Sequence, residues 1–507
     1  MRTLIVLALL SVVSFAGATT PKTELVLRKT KLQVPEKFQK YFSGGEGLFL
    51  PPGFTVSVFA AGIHHPRFFA WRPDGTLFSG TGWPGVVYSF PDEDRDGVAD
   101  TVIEAIRSLK WPHSLAFYNG DLYVAETHAV RKFHDPDGDG RYTAFEDYIT
   151  GLPTEGFSDT QPNHVSRTIL FDSARGYVYL GIGSSCDVCR ENDSMRAAIS
   201  RFNIDGSGKV IFARGLRNPV GLDFDPVTGK LWTTVPERND FPDYPDEPVT
   251  EVKEGGFYGW PFAHGNRQWM DIENLELYKV LLPITAQDSA DVATMQVADV
   301  GLPPHTTPLG IHFYTRDQFP QEYRNKAFVA LHGSGREQLP ALAGYNVVLL
   351  QKDALDNWTY AEFLNGFLSS DTSFWGRPAG LITDEAGNMY LSSDFGIPAV
   401  YRISYDPDMS VDGASADQFS SEFFPNPYSR EQGSRLRFSV PGAGFVKITL
   451  YDARGNAVQA LFSGHTDAGE FQLPVRLQNY AYGLYLYRVE FSSGTRYFTS
   501  SGRILIE

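Results

Sequence analysis

Two acidic loops carry side chains at the spacing that binds a hard divalent cation. In the first loop the pattern D-x-D-x-D-G is followed, after five residues, by a glutamate; its members are Asp135, Asp137, Asp139, Gly140 and Glu146. Alternating carboxylates wrap one calcium ion in such a loop, because the glycine permits the sharp turn that points the oxygens inward. The first loop is therefore predicted to bind Ca²⁺.

The second loop repeats the alternation but lacks the final glutamate. Its carboxylates belong to Asp92, Asp94, Asp96 and Asp100. This set also predicts a calcium site, with other groups as the remaining ligands. The alternative for both loops is an ordinary turn between strands, since Asp and Gly favour turns without an ion. In either case we expect the loops to stabilise the fold rather than to catalyse a reaction.

The chain has two cysteines, Cys186 and Cys189. A c-type haem requires a histidine directly after the second cysteine, and Arg190 occupies that position. A thiolate zinc site needs more ligands than two cysteines supply. In an exported chain this pair predicts a disulfide that closes a small loop.

The N-terminus has the three parts of a secretory signal peptide. Arg2 provides a positive charge, residues 4–15 are apolar, and the segment 16–18 is an A-x-A cleavage site. A membrane anchor is the alternative, but the apolar run is shorter than the roughly 18 residues that a span requires. The sequence therefore predicts a signal peptide over 1–18 and a secreted or cell-surface protein.

The bulk composition restricts both the fold and the partners. A chain of 507 residues should form at least two domains. Its 48 glycines and 32 prolines are typical of many short strands joined by turns. The formal charge of −16 argues against a nucleic-acid partner, whose phosphates attract basic surfaces. A neutral substrate or bound cations agree better with this charge.

A strand–turn–strand unit recurs along the chain. Each copy joins two alternating apolar segments by a turn rich in Asp, Asn and Gly, and the copies lie at 68–81, 114–126, 168–183, 220–235, 310–333 and 379–394. Most copies are roughly 45–60 residues apart, the size of one four-stranded blade. We therefore predict an all-β protein with a six-bladed β-propeller over 48–407, after an N-terminal extension over 19–47. A β-sandwich fits so many copies poorly, and 236–307 is predicted to be an insertion.

The pattern changes after the repeats. Residues 408–420 are small, polar and acidic, as in a linker. Short strand-like segments separated by turns follow over 421–507 and predict a small β-sandwich.

This tail resembles the C-terminal sorting domains of type IX secretion substrates. The resemblance rests on the Pro-Asn-Pro motif at 425–427, the turn from Tyr451 to Gly455, and the segment GLYLY at 483–487. It implies export through the outer-membrane secretion machinery and removal of the tail at the cell surface. A generic immunoglobulin-like domain is the alternative, since strand patterning alone does not separate the two.

The span 48–407 resembles the glucose/sorbosone dehydrogenase family, quinoproteins that use pyrroloquinoline quinone (PQQ). The most specific motif is GLRNPVG followed by a D-P-x-T-G turn, and GSSCDVC, GGFYGWPF, PLGIHFYTRDQFP and WGRPAG agree with it. The resemblance implies oxidation of a sugar or a related alcohol or aldehyde by hydride transfer to PQQ. It also implies Ca²⁺ at the second half of 236–260, and a quinone or c-type cytochrome as electron acceptor.

The same resemblance assigns roles to individual residues. His164 matches the catalytic base, and an imidazole with a pKa near 6.5 can take a hydroxyl proton while hydride leaves carbon. The matching cofactor-binding positions are Arg217, Asn218 and Arg377, with His332 and Arg336 as weaker candidates. Guanidinium groups pair well with the carboxylates of PQQ. The reserve candidates for the base are His113, His64 and His65.

Two other classes of function stay open. A non-catalytic propeller would bind a surface glycan or a protein, and a metal-dependent lactonase or hydrolase would work without PQQ. Propellers host many unrelated activities, so the fold alone does not decide among them.

Overall fold

In a computed structural model, the structure describes residues 20–23, 25–135, 140–142, 144–154, 164–238, 241, 244–335, 342–370, 372–407, 419–428, 434–494 and 496–506. The predicted signal peptide lies outside the described residues, as do Asp137, Asp139, Arg336 and residues 408–418 of the predicted linker. No helix in the described part is long and apolar enough to cross a membrane.

The described chain is an all-β protein built from many small antiparallel sheets. Six of them, termed sheets I to VI, have at least four strands each and follow one another along the chain. Strands such as Leu77–Thr81 and Ala327–Leu331 are buried at every residue. Such short apolar strands need cover on both faces, which neighbouring sheets provide.

In sheets I, II and III the antiparallel strands pair in chain order. Sheet I contains Pro66–Trp71, Leu77–Thr81, Val87–Phe90 and Ile103–Ile106. Sheet II contains Ser114–Tyr118, Asp121–Ala125, Val130–His134 and Ala144–Ile149. Sheet III contains Arg167–Asp172, Tyr177–Ile182, Ala198–Asn203 and Val210–Arg214, with Gly256–Phe257 added in parallel.

Sheets IV, V and VI continue this arrangement. Sheet IV contains Leu222–Phe224, Leu231–Thr234, Glu247–Glu251 and Val300–Leu302. Sheet V contains Pro308–Phe313, Ala327–Leu331, Asn346–Lys352 and Trp358–Leu364. Sheet VI contains Gly376–Thr383, Met389–Gly396 and Ala399–Tyr405, and its outer strand is Phe54–Ala61 from before sheet I.

The span 236–307 is therefore only partly an insertion, because it supplies the last two strands of sheet IV. Its remainder contains the 3₁₀ helix Glu276–Leu281 and the α-helix Ala286–Thr294. The α-helix begins at a capping box in which Thr285 and Asp288 bond each other's backbone N–H groups. The remaining short elements are the hairpins Ala263–His264 with Gln268–Trp269 and Leu368–Ser370 with Ser373–Phe374, and the 3₁₀ helices Glu36–Tyr41 and Gln321–Tyr323.

The first strands of sheets I to VI form a closed circle of contacts. Each first strand contacts the first strand of the next sheet, and that of sheet VI contacts that of sheet I. The centre is crowded: a Cβ on Gly380 of sheet VI would lie 2.3 Å from the Arg67 carbonyl oxygen of sheet I. Glycine is needed there because another backbone approaches so closely.

Sheet VII combines two N-terminal strands with three strands from the C-terminal part of the chain. Its strands, in spatial order, are Gly47–Leu50, Leu27–Lys31, Gly469–Val475, Ser434–Val440 and Ser420–Phe424. Sheet VIII contains Ala457–Thr466, Gly444–Asp452, Gly483–Ser493 and Arg496–Ile506. Side chains from both sheets form one hydrophobic cluster, with Phe438 and Leu473 from sheet VII against Val446 and Val489 from sheet VIII.

Candidate functional site

One end of the circle gathers most of the residues predicted to do chemistry. The first two strands of each sheet are antiparallel, so the start of the first lies beside the end of the second, as in the pairs Arg167–Ile182 and Pro308–Leu331. Candidate residues sit at such starts and ends in sheets II to VI. We term this end of the circle the mouth; its defining residues are His113, His164, Arg217, His332 and Arg377.

His164 is held by Ser184, which follows the second strand of sheet III. Its Nδ1 lies 3.0 Å from the Ser184 carbonyl oxygen and 2.8 Å from Ser184 Oγ. A carbonyl oxygen only accepts hydrogen bonds, so Nδ1 carries the proton. In the neutral ring Nε2 is then the basic nitrogen, and it has no partner among the described residues. Burial, and then the charge of Arg217, lower the pKa of His164 well below its usual value.

Arg217 connects two loops, one after the second strand of sheet III and one after the second strand of sheet IV. Its Nη2 donates to Asp187 at 2.7 Å and its Nη1 donates to the Glu237 carbonyl at 3.0 Å. The Arg217 Nε–H is buried and has no hydrogen-bond partner among the residues that the structure describes. The Nε–H groups of several other arginines, among them Arg238 and Arg402, are in the same state, so this donor is available to an acceptor on a ligand but does not by itself mark a site.

Asn218 and His164 meet across Gly183. A Cβ on Gly183 would lie 2.3 Å from Asn218 Oδ1 and 2.6 Å from the His164 Cβ. Glycine at this position therefore allows the two side chains to approach each other. The structure thus brings His164, Arg217 and Asn218 together, as the resemblance implied.

The cysteines form the predicted disulfide, which is confirmed. Cys186 and Cys189 close a loop that contains Asp187, the carboxylate partner of Arg217. The Asp187 carbonyl accepts a hydrogen bond from Trp260 Nε1 at 3.1 Å, and the Cys186 carbonyl accepts one from Ser184 Oγ at 2.7 Å. The disulfide loop therefore supports the partners of both Arg217 and His164.

A second group of residues surrounds the fully buried Asp394 of sheet VI. Asp394 accepts hydrogen bonds from His332 Nε2 at 2.7 Å and from Arg67 Nη1. Burial by itself raises the pKa of the Asp394 carboxyl, but His332 and Arg67 hold it well below its usual range. Burial lowers the pKa of His332 to about 4, so neutral His332 donates to an ionised Asp394.

The other candidates at the mouth pack around this group. Arg377 donates from Nε to the His332 carbonyl at 3.0 Å and from Nη2 to the Gly333 carbonyl. Its guanidinium lies 5.3 Å from the centre of the Tyr345 ring. His113 is fully buried; its Nδ1 accepts from Arg67 at 3.3 Å, and its Nε2 has no hydrogen-bond partner.

The two remaining reserve histidines lie just before sheet I. The His65 ring packs against Phe395, with 4.2 Å between the ring centres, and burial lowers its pKa. The His64 backbone N–H donates to the Tyr88 hydroxyl. His65 therefore borders the Asp394 group, at the side of the mouth away from His164.

Sequence reasoning missed four residues of the mouth: Arg67, Asp394, Glu237 and Glu247. Glu247 is buried and accepts hydrogen bonds from the backbone N–H groups of Glu237 at 2.7 Å and Thr307 at 3.4 Å. Burial raises the pKa of Glu247 to about 8 and also raises the pKa of Glu237. No motif marks these acids: Glu247 is the first residue of the strand Glu247–Glu251, in which only Val249 and Thr250 are also buried.

In the second acidic loop, Asp92, Asp94 and Asp100 have carboxylate oxygens within 4.8 Å of one another. The Asp96 carboxylate instead accepts the backbone N–H of Val98 at 2.8 Å. Burial, together with the neighbouring aspartates, raises the pKa of Asp92.

In the first acidic loop, Asp135 and Glu146 have different partners. Asp135 accepts the Gly140 N–H at 2.9 Å and lies 3.5 Å from Arg72. Glu146 belongs to the last strand of sheet II, where its carboxylate pairs with Lys132 at 2.9 Å. Among the described residues Asp135 and Glu146 thus have cationic partners, the buried Asp135 Oδ1 has no hydrogen-bond partner, and calcium binding at this loop stays a prediction.

Comparison with known proteins places this fold in a family. A profile of the TrAA12-like family matches residues 48–404, more than half of the chain. The chain belongs to the TrAA12-like family. An uncharacterized protein from Borreliella burgdorferi is 30% identical over 368 residues, which cover 71% of this TrAA12-like chain and 91% of that protein.

Solved structures share the fold of this TrAA12-like chain at low sequence identity. The holo form of the pyranose dehydrogenase PQQ domain from Coprinopsis cinerea matches with a TM-score of 0.56 and 19% identity, covering 74% of this chain and 98% of that one. The calcium structure of the Trichoderma reesei family AA12 enzyme matches with a TM-score of 0.57 and 18% sequence identity. The match covers 70% of this chain and 96% of that one. The soluble aldose sugar dehydrogenase from Escherichia coli matches with a TM-score of 0.50 and 16% sequence identity. The match covers 69% of this chain and 99% of that one.

Proposed function

We propose that this TrAA12-like chain is a PQQ-dependent oxidoreductase that oxidises a sugar or a related alcohol or aldehyde. The observation that carries the proposal is that His164 and Arg217 lie near each other at the mouth. Among the described residues the basic Nε2 of His164 has no partner, and the buried Nε–H of Arg217 has no acceptor. A base beside an anion-binding cation is the arrangement that oxidation of an alcohol by an anionic quinone requires.

The fold supports this proposal. We interpret sheets I to VI, with their closed circle of first strands, as the six blades of a β-propeller over 48–407. We interpret sheets VII and VIII as a β-sandwich over 421–507 that is completed by two N-terminal strands. A propeller brings the same edge of every blade to one mouth, so residues distant in sequence can share one substrate.

His164 is the general base in this proposal. Ser184 fixes the proton on Nδ1, so Nε2 can take the proton of a substrate hydroxyl. Burial and Arg217 keep the imidazole neutral at physiological pH, which is the form that a base requires. Ser184 thus acts as a positioning residue for His164.

The chain's cations fit an anionic cofactor. Arg217 offers the buried Nε–H without an acceptor, Asn218 lies beside it across Gly183, and Arg377 supports the opposite side of the mouth. When bound, PQQ supplies the acceptor for the hydride. The protein's contribution is to hold its carboxylates by charge-assisted hydrogen bonds and to keep His164 in reach of the substrate.

Calcium is part of the proposal. We propose one ion at the cofactor in the second half of 236–260, and one that stabilises the loop of Asp92, Asp94 and Asp100, whose oxygens lie within 4.8 Å of one another. We also propose that the chain is exported and that its tail engages the outer-membrane secretion machinery. Electrons from the substrate would pass to a quinone or a c-type cytochrome.

Reconstitution tests the proposal. PQQ and Ca²⁺ are added to the purified chain, and absorbance is followed while sugars are supplied. We expect PQQ to bind at micromolar concentration and its spectrum to change on reduction. His164→Ala should abolish turnover and leave PQQ binding nearly intact, while His465→Ala, on an exposed strand of sheet VIII, should change neither.

Two results would contradict this function. Absence of PQQ binding at micromolar cofactor would exclude a quinoprotein and favour a glycan- or protein-binding propeller. Activity without PQQ that a chelator removes would instead indicate a metal-dependent lactonase or hydrolase.

A further inference from the structure

A cavity of about 970 Å³ lies between sheets V and VII, and none of the mouth residues lines it. Its wall is formed by Lys22 near the N-terminus, by Tyr360 and Glu362 of sheet V, and by Arg435 and Arg437 of sheet VII. The volume is at the upper end of the range of small-molecule sites, roughly 300–1,000 Å³. The proposed oxidoreductase activity makes no use of this cavity.

The wall is positively charged although the protein is strongly acidic. Two glutamates, Glu362 and Glu422, face five lysines and arginines: Lys22, Lys29, Arg435, Arg437 and Arg476. The lining residues carry an excess of three positive charges, and an excess of two remains when the ion pair of Lys29 with Glu470 just outside the wall is counted; the whole chain has a net charge of −16. A concave, low-dielectric surface of one sign concentrates ligands of the opposite sign.

The charge excess is greatest around the buried carboxylate of Glu362. It accepts from Lys22 Nζ at 2.6 Å and from Arg435 Nη2 at 2.7 Å. Burial lowers the pKa of Lys22, Glu362 opposes this effect, and the charges of Arg435 and Arg476 add to it. The Glu362 carboxylate is therefore shared between Lys22 and Arg435, and the local positive charge would attract an anion into the cavity.

Two amide side chains on the wall require hydrogen-bond donors. Asn346 Oδ1 of sheet V and Gln472 Oε1 of sheet VII are buried and have no hydrogen-bond partner in the described part of the chain. Both residues are only 5% exposed. Buried acceptors are almost always satisfied, and an amide oxygen is satisfied by an O–H or N–H donor. A purely anionic ligand without hydroxyl groups would leave these oxygens unpaired.

Aromatic rings complete the wall. Tyr345 and Phe49 are buried in the wall, whereas Trp375, directly before sheet VI, and Phe424, in sheet VII, are half-buried. Apolar ring faces beside polar side chains suit a ligand with alternating C–H and O–H surfaces, as sugar rings have. The cations, the unpaired amide oxygens and the aromatic rings together describe one class of ligand.

We propose that the cavity between sheets V and VII binds an acidic oligosaccharide. Its acidic groups pair with the cations around Glu362 and with Arg437, and its hydroxyls donate to Asn346 and Gln472. Its rings lie against Trp375 and Phe424. This site is separate from the mouth and does not depend on PQQ.

Calorimetric titration of the full chain tests the proposal. The assay contains no PQQ and does not depend on sugar oxidation. The probe is tetragalacturonate, and the matched control ligand is its methyl ester, which has the same rings without charge. We expect the acid to bind and the ester to bind at least tenfold more weakly. Arg437→Gln should weaken binding of the acid about tenfold, whereas Arg454→Gln, in an exposed turn of the C-terminal part, should not.

Gln472→Leu separates binding from folding. This variant removes a buried oxygen that has no partner, so the melting temperature should stay the same or rise while binding weakens. Equal binding of the acid and its ester, or wild-type affinity in Arg437→Gln and Gln472→Leu, would overturn the proposal. A tetraglutamate peptide that binds as tightly as the saccharide would overturn the assignment to carbohydrate.

Discussion

The buried Glu247 makes the stability of the protein depend on pH in a direction opposite to that of most carboxylates. Its side chain accepts the backbone N–H groups of Glu237 and Thr307 and is almost completely shielded from water. Burial raises its pKa from 4.5 to about 8. The folded protein therefore keeps a proton on Glu247 at pH values where the unfolded chain has released it, and stability falls as the pH rises.

The size of the effect follows from the two pKa values. Each pH unit between them costs about 1.4 kcal/mol of folding free energy, because one proton fewer is bound by the unfolded chain. Between pH 5 and pH 8 the loss amounts to about 3.5 kcal/mol. Glu247→Gln imitates the protonated side chain and cannot ionise, so this loss should be absent from the variant.

Urea unfolding at pH 5, 6, 7 and 8 measures the difference between Glu247→Gln and the wild type. We expect similar stability at pH 5 and a growing advantage of the variant towards pH 8. Glu385→Gln, in an exposed turn of sheet VI, serves as the control and should show no such trend. A difference between Glu247→Gln and wild type that does not change with pH would refute a raised pKa at this position.

Three further changes test the mouth. Asp394→Asn leaves the partly buried Arg67 without its counter-ion and should cost about 3–5 kcal/mol, seen as a lower melting temperature; an unchanged midpoint would contradict the ion pair. Ser184→Ala removes one of the two acceptors of His164 Nδ1 and should lower kcat about tenfold with little change in PQQ affinity, whereas a change confined to PQQ affinity would argue against a positioning role. Replacing both Cys186 and Cys189 by Ser opens the disulfide loop that holds Asp187, so Arg217 is less well fixed and PQQ should bind about tenfold more weakly. Equal PQQ affinity of this variant and the wild type in a titration would show that the disulfide is not needed for cofactor binding.

The repeated strand pairs were predictable because their signal is local. Each of the six segments is a pair of antiparallel strands in the structure, joined by a short turn in all copies but the one at 310–333, where residues 314–326 join the strands. The pairing of Phe54–Ala61 with Ala399–Tyr405 was not predictable, since nothing near either segment marks the other as its partner. For the same reason the span 19–47 was predicted only as an extension, although Leu27–Lys31 pairs with Gly469–Val475.

Part of the candidate site could also be predicted from the sequence. The motifs around His164, Arg217 and Asn218 pointed to one site, and the structure brings these side chains together. Asp394 and Glu247 were missed because their importance comes from burial and from partners in other sheets, which a single sequence does not display. The disulfide was predictable because the chain has only two cysteines.

The pairing of Phe54–Ala61 with Ala399–Tyr405 also determines the order in which the chain can fold. Sheets I to V consist of strands that are near one another in sequence, so each can form early. Sheet VI can form only when two segments more than three hundred residues apart come together, and the segments that pair in sheet VII are still further apart in sequence. Contacts of such long range slow folding, because the intervening chain must lose its freedom before they form. A nascent chain therefore cannot close the circle until its last repeat has been made.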